Sequence, residues 1–236
     1  MKKIFALAMS DVRITARRSE ALILNLVVPI VVLIALSKTS TGIEKAIPFT
    51  YLQAVLATSM VSLGITTGFD RRFRVLVRLG TTPLGRKGLV YSKIISLLVL
   101  QTFQLMILSI VGFVLGWEPK LSWILSFPIC WIASCAFAGI ALLVAGRVKA
   151  ETNLGLQNLL YIVMMGIGGI GFTDSSALPS TLKDISHIFP SGALHSILRS
   201  LAGIGGEKVS VIAIASIAIQ AILLPLLAAR KFSFDE

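Results

Sequence analysis

Residues 70–93 read DRRFRVLVRLGTTPLGRKGLVYSK, with seven basic side chains (Arg71, Arg72, Arg74, Arg78, Arg86, Lys87 and Lys93) against the single acid Asp70. Apolar runs long enough to cross a bilayer flank the stretch on both sides, and a basic segment between two spans belongs on the cytoplasmic face. Over Phe73 to Leu79, Phe73, Leu76, Val77 and Gly80 share one helical face and Arg71, Arg74 and Arg78 another, which predicts a short surface helix. Thr81-Thr82-Pro83 stops it, because proline has no amide hydrogen and biases its predecessor towards extended geometry. A stiff basic helix and turn tied at both ends to membrane spans is a shape suited to receiving a push.

The composition around this stretch is that of an integral membrane protein. The chain is 56% hydrophobic and only 14% charged, with a mean hydropathy of +0.89, outside the range of an ordinary soluble domain. Its net charge of +11 would suggest nucleic acid in a soluble protein. Here the basic residues occupy alternate gaps between apolar runs, a topological pattern rather than a phosphate-binding face, so nucleic acid is excluded as a partner. Cys130 and Cys135 fall inside one apolar run and read as small core residues, not as a disulfide framework or metal site. Residues 1–20 read as an interfacial amphipathic helix, with Ile4, Phe5, Ala8, Met9 and Val12 in lipid and Lys3, Arg13 and Arg17 at the head groups.

A requirement of about 20 apolar residues per span gives six runs. They are Ala21–Ser37, Thr50–Phe69, Ile94–Leu115, Leu121–Gly146, Leu154–Phe172 and Val209–Ala229. Pro29 in the first predicts a kink whose freed carbonyl must find a partner inside the protein. Of the 22 lysines and arginines, all but Lys38, Lys45, Lys120, Lys183, Arg199 and Lys208 fall on one side when both termini are cytoplasmic, which sets the orientation. Gly116 to Lys120 is a tight outer turn. The outer segment 173–208 is too long to be structureless, and reads as one short helix over Leu178–Leu182 and Ile185–Phe189, then a second started by Pro190-Ser191, with Leu194, Ile197, Leu198 and Leu201 on one face.

No catalytic constellation stands out. His187 and His195 lie in the outer segment and read as surface histidines, with no metal implied. The six runs contain no Asp, Glu, His, Lys or Arg, which argues against a membrane enzyme and against proton- or ion-coupled transport. Gly166-Ile-Gly168-Gly169-Ile-Gly171 fits the GxGxxG spacing, but it ends an apolar span instead of following a strand, so it reads as a flexible or closely packed helix end. The chain has no GxxxxGK[ST] and therefore no ATP site of the P-loop kind. Gln101 and Gln104 share a face of the third run, while Asn25, Gln53, Asn158 and Gln220 sit singly in others. Such amides must pair between helices or face a wet path.

The order of these features resembles the permease subunits of ABC-2 type transporters: an N-terminal amphipathic helix, six spans, the basic loop 70–93 with TTPLGR like the family's TPLxR turn, and the outer segment ALPSTLKDISHIFPSGALHSILRSL before the last span. The resemblance covers nearly the whole chain and implies an all-α membrane domain over 1–236, with interfacial helix 1–20, cytoplasmic coupling loop 70–93 and extracellular loop 173–208. It implies an exporter permease, not an enzyme, working as a dimer in the plasma membrane, with a bacterium as the natural setting. It further implies that Asp70, Arg71, Arg72, Arg74 and Arg78 form a coupling helix and Thr82, Pro83, Leu84 and Arg86 its exit turn, docking on a separate ATP-binding subunit that holds ATP and Mg. No cofactor is expected on this chain. Gln101, Gln104 and Asn158 are the candidates for the translocation path or for interhelical contacts. The chain departs from the family where many members open the loop with glutamates and a glycine; here it opens with Asp70-Arg71-Arg72-Phe73. The rival reading is a non-transporting scaffold or immunity-like protein whose basic loop recruits anionic lipid or a cytosolic protein.

Overall fold

The computed structural model describes residues 2–17, 19–80, 85–169, 185–204 and 210–232, and among them it is all helical. Helix α1 (Lys2–Arg17) is followed by α2 (Ser19–Ser37) and, after a short turn, α3 (Gly42–Leu56). A π-helical segment (Ala57–Ser62) joins α3 directly to α4 (Leu63–Arg72), so the three make one continuous rod. Helices α5 (Val75–Gly80), α6 (Gly85–Val114), α7 (Ser126–Ala145, preceded by a 3₁₀ turn at Leu121–Leu125), α8 (Ala150–Gly169), α9 (Pro190–Ala202) and α10 (Val211–Lys231) complete the chain.

Four helical stretches among the described residues are long and apolar enough to cross a membrane: Gly42–Arg72, Gly88–Val114, Leu121–Ala145 and Val211–Lys231. Asn25–Ser37 is apolar but shorter. Helix α8 forms where the fifth run was expected, but it carries Asn153, Gln157 and Asn158 and is not among the four. The chain is thus a multi-pass membrane protein. The α3–α4 rod is the central shaft, with 78% of its apolar stretch buried, whereas α10 has 22% and is peripheral. Ile219, Ile222 and Leu223 of α10 and Phe103, Ile110 and Phe113 of α6 face outward, as lipid-facing side chains do.

Two sequence boundaries are corrected. The second span begins at Gly42, eight residues before Thr50, and Pro48 lies buried within the same helix. The third begins at Gly85, so Lys93 is a buried helical residue and not part of a displayed loop. Helix α1 covers 2–17 of the stretch 1–20 expected to be interfacial, and its Ala8 is buried because α1 packs along α6. Its Phe5 and Ile14 remain exposed.

Close packing follows small residues. Helices α7 and α10 form the most extensive pairing, and a Cβ on Gly139 would lie 2.6 Å from the Leu224 main chain. On α4, Gly64 and Gly68 are one helical turn apart and open a groove for side chains of α8. At the tight turn after α6, Gly116 takes φ +88°, a region that side chains with a Cβ seldom enter. Beside it Trp117, Trp123 and Tyr51 stack edge to face, with successive centroids 5.2 and 5.1 Å apart.

Candidate functional site

The basic stretch begins as the last turn of α4, and its first three residues are spent within the chain. Asp70 Oδ2 accepts from Lys93 Nζ of α6 at 2.8 Å. Arg71, only 6% exposed, donates through Nη1 to Ala145 O at 3.2 Å and Val148 O at 2.9 Å, at the carboxyl end of α7. There the uncapped carbonyls and the helix dipole favour a cation. Arg72 pairs with Glu151 at the start of α8, where an acid favours the dipole in turn. The exposed Arg72–Glu151 pair contributes about 0–1 kcal/mol. Charge-assisted bonds from a buried guanidinium are worth about 1.5–3 kcal/mol, so Arg71 dominates the anchorage. Three consecutive residues therefore fasten the base of the stretch to α6, α7 and α8.

The continuous helix expected from Asp70 to Leu79 is broken. Phe73 ends α4 at φ −80° and ψ 12°, and Arg74 sits at φ +55°. Val75–Gly80 then starts afresh as α5, with Leu76 buried against α6. This turn exposes Phe73 (66%) and Arg74, the parts of the stretch free of the anchorage. Phe73 stacks on Phe69 at a centroid distance of 6.3 Å. Thr82, Pro83 and Leu84 lie outside the described residues, as do the side chains of Arg78 and Arg86.

The interior amides divide into two groups. Gln104 is an interhelical tie, supported by Gln101 on the same helix: Gln104 Nε2 donates to Asn25 O at 2.6 Å, and its Oε1 accepts from Thr58 Oγ1 at 2.7 Å and Gln101 Nε2 at 3.2 Å. Gln104 thus joins α2, the π-helical segment and α6. Gln220 is a tie as well, donating to Ile188 O at 2.7 Å. Asn158 is different. It is exposed and lines a cleft of about 180 Å³ between α2, the central shaft and α8, together with Asn25, Pro29, Gln53 and Tyr161.

The sequence reading passed over two further amides. Asn153 Nδ2 donates to Gly64 O at 2.8 Å, and Gln157 Nε2 donates to Ala141 O at 3.0 Å and Asn153 Oδ1 at 3.1 Å. They fill the groove left by Gly64 and Gly68 and hold α8 on the shaft. The GxxxG spacing of residues 64–68 was the available signal.

At the opposite end of α8, His195 is buried at 1% exposure, not on the surface as expected. Its Nδ1–H donates to Gly168 O at 2.6 Å, and Phe49 meets its ring edge-on. Burial lowers its pKa to about 4, so the ring is neutral at physiological pH. Gly168 itself is closely packed, since a Cβ there would lie 2.4 Å from Leu52. The leucine face expected on α9 is buried throughout.

The chain thus combines an amphipathic first helix packed on a span, a basic turn fastened to three helices, and the buried helix α9 ahead of the last helix. The model of the ABC-2 type transporter family matches residues 2–201. The chain belongs to that family. No curated protein matches it. As an ABC-2 membrane domain it is a transport subunit rather than an enzyme, and membership implies a separate ABC ATP-binding subunit as its partner. The match takes in α1 through most of α9, so the ABC-2 region includes the basic turn as well as α9.

Proposed function

We propose that this chain is the permease of an ATP-driven exporter: six spans, both termini in the cytoplasm of a plasma membrane, two copies enclosing the pathway, and two ATP-binding subunits docked on the basic loops. ATP and Mg belong to those subunits. The observation that carries the reading is the anchorage of Asp70, Arg71 and Arg72 to α6, α7 and α8, because a docked protein can bias a permease only by contacting its states unequally. A push on the loop would reach three helices through that base. Contact with the ATP-binding subunit then falls to Phe73, Arg74, Arg78 and the turn of Thr82, Pro83, Leu84 and Arg86, since Asp70, Arg71 and Arg72 are spent inside the chain.

The cleft lined by Asn25, Gln53, Asn158 and Tyr161 supports a pathway for an amphipathic cargo, with amides to pair its polar groups and apolar walls for the rest. Photocrosslinking from position 84 in native membranes tests the reading. Recovery of a soluble protein carrying GxxxxGK[ST] is expected. Recovery of lipid alone, or of a protein without an ATP site, would put the scaffold function in its place. Leu84→Asp and Arg78→Glu should leave the chain inserted and uncouple ATP hydrolysis from transport; unchanged transport would remove the loop from the mechanism.

A further inference from the structure

The cleft between α2, the central shaft and α8 lies where two of its walls depart from regular helix. Pro29 lines it on α2, and Ala57 and Val61 of the π-helical segment line it on the shaft, a kind of segment that recurs at functional sites. Val28 and Asn158, on opposite walls, are both exposed, so the cleft opens to the surface between α2 and α8. Gln53 lines it from the shaft and is only 7% exposed. Tyr161 bears on the Gln53 amide, yet Gln53 Oε1 has no hydrogen-bond partner among the described residues. Leaving a buried carbonyl without a donor destabilises the chain, and an occupant of the cleft that supplies the donor recovers that loss.

We infer that Gln53 is the selecting residue of this cleft, its Oε1 accepting from the hydroxyl or N–H of an uncharged amphipathic molecule. The inference rests on the reading of the cleft as a cargo pathway and narrows that cargo to neutral hydrogen-bond donors. Among the described residues, none that lines the cleft is charged, so a charged occupant would have nothing to neutralise it. The volume of about 180 Å³ sets the size of the end that enters, since a cavity of about 150 Å³ takes a benzene. Val27 on α2 and Leu159 and Ile162 on α8 are exposed near the mouth, an apolar border along which the rest of such a molecule lies.

Photolabelling of the full chain in lipid nanodiscs, with no ATP-binding subunit present, tests it. Three diazirine probes share one apolar chain and end in a hydroxyl, a methyl or a carboxylate, each held at the same mole fraction in the bilayer. The alcohol should label peptides holding Gln53 or Asn158 about tenfold more than the methyl probe, the yield of one buried hydrogen bond. The carboxylate should label no better than the methyl probe. Gln53→Leu should abolish the preference for the alcohol without lowering the thermal midpoint, because it removes a buried acceptor that no described group satisfies. Val28→Trp, which narrows the mouth from an exposed position, should reduce alcohol labelling in a chain whose Gln53 is intact. A water held on Oε1, or a purely structural Gln53, predicts equal labelling by the alcohol and methyl probes. Equal labelling in the parent, a carboxylate that labels as well as the alcohol, or a preference that persists in Gln53→Leu would overturn the inference. None of these outcomes bears on the crosslink from position 84, which reports the docked subunit whatever the cleft selects.

Discussion

Gln104 Nε2 donates to the main-chain oxygen of Asn25 at 2.6 Å, four residues before Pro29, whose missing amide hydrogen leaves that oxygen free. The span's break and its repair are thus on two helices. Gln104→Leu should cost about 1–3 kcal/mol in detergent unfolding, the penalty for stranding a buried acceptor. Pro29→Ala in the same background should recover part of the loss, because residue 29 then donates to Asn25 itself. Equal destabilisation with either residue at 29 would show that the bond is incidental.

Gly139→Ala should be costly, since the new methyl meets main-chain atoms of Leu224 and Pro225 that cannot swing aside. Overpacking of this kind costs about 1–3 kcal/mol. Gly166→Ala, on α8 with nothing within contact distance, should instead be neutral or stabilise by about 0.5–1 kcal/mol through helix propensity. Thermal unfolding of the two variants in one detergent makes the comparison; similar melting points would contradict the α7–α10 contact.

Arg74 holds a left-handed backbone at φ +55° without being glycine. Arg74→Gly should be within about 0.5 kcal/mol of the parent, because relief of strain offsets the greater freedom of the unfolded chain. Arg74→Val should lose about 1–2 kcal/mol, a β-branched side chain being the least tolerated there. Limited proteolysis at the turn reads the difference, and a Val variant as resistant as the parent would count against the turn geometry.

His195 makes the end of the protein around α9 sensitive to acid. Its folded pKa, about 4, lies below the unfolded value of 6.5, so the unfolded chain binds the extra proton first. Stability is therefore full above pH 6.5 and falls as the pH drops towards 4, by up to about 3 kcal/mol. The groups that bear on the ring are Gly168 O from α8, Phe49 from α3 and the like charge of Arg199. Unfolding measured between pH 7 and 4 should show this slope in the parent and lose it in His195→Gln.

What the sequence discloses depends on how far away the deciding partner is. Pro29 announces a free carbonyl because the missing amide is local, and the buried face of α9 is written in its leucine spacing. The destination of Arg71 is not so written. Its carbonyl partners are more than seventy residues away, and an arginine bound for buried carbonyls has the same place in a basic run as one bound for water. Asn153 and Gln157, one just before the fifth run and one inside it, were missed for a related reason: neither amide shows its partner until Gly64 and Gly68 are seen to make room for it. The start of the second span at Gly42 was not legible either, since residues 42–49 include Glu44, Lys45 and Pro48 and yet continue the rod.

The three anchors at 70, 71 and 72 also differ in kind, and that difference ranks them. Salt weakens the exposed Arg72–Glu151 pair most, the Lys93–Asp70 pair less, and the carbonyl bonds of the buried Arg71 least. Raised ionic strength would therefore free the joint from α8 first and leave it held by α6 and α7, so a base fastened on three sides would keep two.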